Sequence, residues 1–155
     1  MLISGVDMVG GILAVTYNKI GYTLIEQGLR NYLNNDFNNV YISTKFIMKG
    51  SECIRINLES SSNTQSTAKY EQREYSVMLR YYFNRIINND GVNENIKGKV
   101  DRLKKKLLDK RTNSTNWMYL DVDEIEYCIE DDENEDKNIY IVQYDLTLVN
   151  HNPLN

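Results

Sequence analysis

The sequence predicts an α+β domain, an antiparallel sheet of about five strands with two helices packed on one face, in the order α-β-β-β-α-β-β. Three observations carry this expectation. Two segments, near 16–33 and 94–111, repeat apolar residues three and four apart, the spacing of a helix with one buried stripe. Five segments alternate apolar and polar residues, as strands with one buried face do. Most strands follow one another directly, which favours antiparallel pairing. With 155 residues and 18.1 kDa there is material for one core, so 1–155 reads as a single domain. It divides into a flexible or packed arm at 1–15, a core at 16–150 and an irregular tail at 151–155.

The arm, MLISGVDMVGGILAV, is apolar and glycine-rich but lacks a basic leader and carries Asp7, so it does not read as a signal peptide. In the first helix Tyr17, Ile20, Leu24 and Gly28 form one stripe, with Ile25, Leu29, Tyr32 and Leu33 beside it. Thr16 is a candidate N-cap and Asn34-Asn35-Asp36 a stop. Gly21 and Gly28 weaken a helix by up to about 1 kcal/mol each, and close packing against a sheet explains them. Segments 39–48 and 52–58, joined by Lys49-Gly50-Ser51, form a hairpin candidate. The polar stretch Glu59–Lys69 exceeds an ordinary hairpin connection and is either a disordered excursion or an arm that orders on a partner.

The third strand, 71–85, alternates Tyr75, Val77, Leu79, Tyr81 and Phe83 with Ser76, Met78, Arg80 and Tyr82. Asn88–Gly91 signals a turn. The second helix follows, with Ile96, Val100, Leu103 and Leu107 inward, a lysine-rich opposite face, and Asn93 or Asn95 as cap. A strand within 117–130 presents Glu124, Glu126 and Glu130 outward, an acidic loop spans 130–136, and the last strand is 138–149.

Composition excludes several chemistries. The single histidine, His151, leaves little for a histidine metal site or a catalytic triad. Cys53 and Cys128 fit reduced thiols, with one bridge as the alternative. A net charge of −4 disfavours wrapping duplex nucleic acid. No aromatic residues interleave with the helix lysines as a stacking platform requires, so these read as a solvated face in preference to a phosphate contact. The acidic residues Asp121, Asp123, Glu124, Glu126 and 130–136 lack the glycine-centred calcium-loop pattern. No phosphate loop, nucleophile elbow or paired acid–base carboxylates stand out, so no catalytic residue, cofactor or metal is expected. No stretch approaches the roughly 20 apolar residues of a membrane span, so a soluble protein made in the cytoplasm is expected. The basic helix and acidic loop form opposite poles, suited to head-to-tail contacts between identical subunits.

Tyr70–Phe83 (YEQREYSVMLRYYF), Val100–Arg111 (VDRLKKKLLDKR), Trp117 and Tyr140–His151 (YIVQYDLTLVNH) occur in this order behind an amphipathic helix. Over about 16–150 the pattern resembles the tail terminator, or tail-completion, proteins of long-tailed bacteriophages. The resemblance implies a non-enzymatic α+β subunit. Copies of it form a ring, commonly a hexamer, on the head-proximal end of the tail tube, stop tube growth and meet the head connector. It implies subunit or tube contacts from the polar arm (Ser60, Asn63, Gln65), from Arg80, and from the two poles (Lys104, Lys105; Glu130, Asp131, Asp132). Implied partners are further copies of the chain, the tail-tube protein and the connector or stopper, with no membrane or specific nucleic acid. A head-completion stopper, a tail-tube protein and a nucleic-acid module using the lysine helix are the alternatives.

Overall fold

A computed structural model describes residues 5–9, 12–16, 20–84, 92–129 and 138–153. Gly5–Val9 (β1) and Ile12–Thr16 (β2) form a two-stranded antiparallel ribbon. Wide π-helical turns at Gly21–Glu26 then run into α1, Gln27–Leu33. The strands Val40–Ile42 (β3), Glu52–Ser66 (β4) and Tyr70–Asn84 (β5) precede α2, Val92–Leu108. Tyr119–Tyr127 (β6) and Ile139–Pro153 (β7) close the chain. The α+β class holds, with one five-stranded sheet ordered β3-β4-β5-β7-β6.

Helix and sheet meet as the alternation requires. Ile54, Ile56, Val77, Leu79, Tyr81, Phe83, Val142, Tyr144, Leu146 and Leu148 share one core with Ile25, Leu29 and Leu33 of the first helix and Ile96, Val100, Leu103 and Leu107 of the second. The buried stripe of the first helix is therefore the one through Ile25, Leu29 and Leu33, while Leu24 is only half-buried. Within that core the Tyr144 hydroxyl donates to the Val100 carbonyl at 2.9 Å, tying β7 to α2. Gly21 lies so close to the sheet that a Cβ there would sit 2.9 Å from Leu58; Gly28 is pressed instead against Asn116 of the loop before β6.

Four expectations need correction. The sheet is mixed, because β3 runs parallel to β4, pairing Val40 with Ile54 and Ile42 with Ile56. The strand expected over 39–48 ends at Ile42, and in place of its second half and the tight turn at 49–51 the chain crosses onto the opposite face of the sheet. There Phe46 stacks on Tyr82 at 4.3 Å, and Met48 packs against Tyr41, Cys53, Tyr82 and Ile141. The apolar positions that suggested a longer strand thus serve a second, smaller core. Gly50, at φ +71°, makes the left-handed bend into β4 that a β-carbon would strain.

Second, Glu59–Lys69 is not a long loop. β4 continues to Ser66, and the reversal to β5 takes only 67–69, where the Thr67 N–H donates to the Tyr70 carbonyl at 2.7 Å. Ordinary ladder bonds to β5 hold this polar stretch, which alternation of apolar residues could not reveal. Third, the tail is not irregular at its start, since His151, Asn152 and Pro153 pair with Gln72, Glu71 and Tyr70. Fourth, Thr16 ends β2 and so does not cap the first helix, and Asn95 lies inside α2, which begins at Val92. The 1–15 arm contains most of the β1–β2 ribbon, while the Asn88–Gly91 turn lies outside the described residues.

Leu103 is fully buried between α2 and the sheet. Leu103→Ala is expected to destabilise the fold by about 2–5 kcal/mol, the range for a leucine deleted from a packed core. A urea titration that finds the variant within 1 kcal/mol of the parent, about the loss from an ordinary mutation, would contradict this packing.

Candidate functional site

The outer edge of β4 changes character along its length. Over Ile54–Ile56 it is covered by β3, and the Ser43 N–H extends that cover to the Ile56 carbonyl at 3.2 Å. At Leu58 the backbone N–H donates to Glu26 Oε2 at 3.1 Å, so the first helix caps the next edge donor. A bulge follows between Leu58 and Ser60. From Glu59 to Ser66 the strand is exposed throughout and, among the described residues, paired only with β5.

Three of the residues expected to make contacts lie on this stretch. Ser60 stands opposite Ser76, Asn63 opposite Arg73 and Gln65 opposite Gln72. Ser60 and Gln65 fall on the face away from the helices, Asn63 on the helix face, because a second bulge between Asn63 and Gln65 shifts the register. On that helix face Arg73 grips Glu71 through two hydrogen bonds, at 3.0 and 3.2 Å, and donates to Ser61 Oγ at 3.1 Å. Arg73 holds the Glu71 carboxyl below the usual carboxylate range. Asn152, buried against Tyr75, donates to the Tyr75 hydroxyl at 3.2 Å. Arg73 thus ties the middle of the arm to β5, and Asn152 ties β5 to β7 beside it.

Arg80 sits at the middle of the opposite face, away from the arm. Its Nε donates to Gln143 Oε1 at 2.9 Å, and Gln143 passes a hydrogen bond on to Asp145 at 3.0 Å. Arg55 lies directly across from Arg80 and is buried, donating to the Thr44 carbonyl at 2.9 Å. Its Nε has no hydrogen-bond partner among the described residues. Beside this row, Glu124, Glu126 and Asp145 bring carboxylate oxygens within 4.8 Å of one another. Such a group could meet on one hard cation, and it is equally an ordinary solvated acidic face. Sequence reading paired Glu124 with Glu126 but missed Asp145, because only the β6–β7 register joins them.

The basic helix is less uniformly solvated than its spacing suggests. Lys106 pairs with Asp36, Lys99 meets Glu52 at 3.1 Å, and Arg102 donates to the Asp36 carbonyl at 2.9 Å. The Lys106 ammonium holds the Asp36 carboxyl below its ordinary value. Lys104 and Lys105 are exposed, on a different layer from the β4 arm. Glu130, Asp131 and Asp132 lie outside the described residues. Cys53 is buried and Cys128 exposed, and the two are not joined in a disulfide. No described helix is long and apolar enough to cross a membrane.

No protein-family model matches the chain, and no curated protein matches it.

Burial raises the Glu26 carboxyl above its ordinary value, and the bond from Leu58 offsets this only in part. The folded chain thus holds that proton more tightly than the unfolded chain. The associated stability is full below the ordinary carboxylate value and falls as pH rises through the raised one. Glu26→Gln keeps an acceptor for Leu58 and removes the charge. Its urea midpoint is expected to match the parent below about pH 4 and to exceed it at neutral pH. A lower midpoint at neutral pH would show that the charged carboxylate is worth more to the edge than its desolvation takes away.

Proposed function

We propose that this chain is a structural subunit of a phage neck, a tail terminator. Copies of it form a ring, a hexamer as in the family it resembles, at the head-proximal end of the tail tube, end tube growth and join the tail to the head connector. It is made in the cytoplasm of the bacterial host, resides in the virion and catalyses no reaction. The observation that carries this reading is the β4 arm, which leaves the core at Leu58 and runs to Ser66 as an exposed strand with one open side. A strand edge of this kind presents outward backbone N–H and C=O groups on which a strand of another chain can pair.

Two further features support it. The sequence segments resembling terminators fall on the sheet and its second helix, and the β4 arm extends beyond that core. The exposed Lys104 and Lys105 offer one pole for a charged contact between neighbours. Ser60, Asn63 and Gln65 are assigned to contacts along the arm, and Arg80 to the open sheet face.

Purified tail tubes mixed with the protein and viewed by electron microscopy test this directly. One added ring at one end is expected, together with a ring mass by native mass spectrometry. Open stacks would instead make it a tube protein, and a strict monomer that leaves tubes uncapped would overturn the reading. Ser60→Lys with Gln65→Lys is expected to reduce capping at least about tenfold. Its melting temperature should barely move, since exposed substitutions usually stay within about 0.5 kcal/mol.

A further inference from the structure

We propose that the β1–β2 ribbon of one copy pairs with the outer edge of β4 in a second copy, adding two strands to its neighbour's sheet. This deepens the ring reading and rests on it. The ribbon is a two-stranded sheet of its own, not joined to the five-stranded one. Its register sets Val6 opposite Val15 and Met8 opposite Leu13, and both strands are rich in apolar residues. A two-stranded ribbon is marginal in water by itself and gains stability by joining a larger sheet.

The β4 edge offers what such a ribbon lacks. Its outer side is taken by β3 at Ile54–Ile56 and by Glu26 at Leu58, but among the described residues it is unpaired beyond. Edges are commonly blunted by lysine or proline, and Glu59–Ser66 contains neither. The two bulges bracket a regular stretch, Ser60–Asn63, close in length to the five-residue strands of the ribbon. Serine and asparagine side chains there present no charge against the apolar strands. Within one chain the ribbon and this edge belong to separate sheets and are not paired, so the occupant proposed for the edge is the ribbon of a second copy. The two surfaces differ, so the contact is head-to-tail, the type that closes a ring.

Hydrogen–deuterium exchange on the full-length protein, comparing monomer and assembled fractions, tests this. Amides of 5–9, 12–16 and 60–63 are expected to exchange at least about tenfold more slowly in the assembled fraction. Ser61→Lys with Asn63→Lys, and separately Leu13→Lys, should each abolish both protections while the circular dichroism spectrum stays that of the parent. Should the edge variant unfold, the ribbon variant still tests the contact. Edge amides that exchange alike in both fractions, that are already protected in the monomer, or that gain protection only on tail tubes would overturn the ribbon contact. So would the lack of any assembled fraction. Tubes capped by a protein with unprotected edge amides would leave the ring reading standing without this contact. Mutual protection in a protein that never caps tubes would support the contact and remove the terminator reading.

Discussion

Strand β5 is the constraint on which the rest of the molecule is built. It is hydrogen-bonded on both sides, to β4 and to β7, from its first residue region to its last. Its odd-numbered residues from Tyr75 to Phe83 fill the helix-facing core, while Met78 and Tyr82 are buried on the other face. A slip of one residue would exchange these two sets, so the register is fixed by burial on both faces. Both neighbouring strands, and through them β3 and β6, inherit their placement from it.

The helices answer that face with a matching stripe. The contact is reinforced where a polar group must be buried, as Tyr144 reaches the Val100 carbonyl and Trp117 donates to the Lys110 carbonyl at 2.9 Å. At the periphery, the seam between the two helices carries charge: Lys106 and Arg102 both converge on Asp36, and Tyr32 donates to the Lys106 carbonyl at 2.6 Å. The lysine-rich face of α2 therefore has two halves, one engaged with the first helix and one left outward.

What the sequence made legible follows from periodicity. The inward residues of α2 and of β5 and β7 could be named in advance because their spacing matches a single buried face. Periodicity was silent or misleading where burial is not one-sided. Phe46 and Met48 kept the alternation going past Ile42, although the chain had left the strand to cover Tyr82. Ser60 to Gln65 show no apolar period at all, yet ladder bonds to β5 hold them as strand. Asp145 joins Glu124 and Glu126 only through a pairing that a bulge between Val122 and Glu124 adjusts, and bulges leave little trace in composition. The stretch that the sequence suggested as a loop, Ser60, Asn63 and Gln65 included, is exposed on an extended strand edge.

The crossover at 43–51 thickens one end of the sheet. Helices cover one face there and the Phe46–Met48 segment covers the other, whereas among the described residues the Glu59–Ser66 end of β4 has neither. The body is thus three layers deep at one end and tapers toward a single layer at the other. Identical bodies of that outline, set flank to flank, would turn by a constant angle at every joint, as the stones of an arch do.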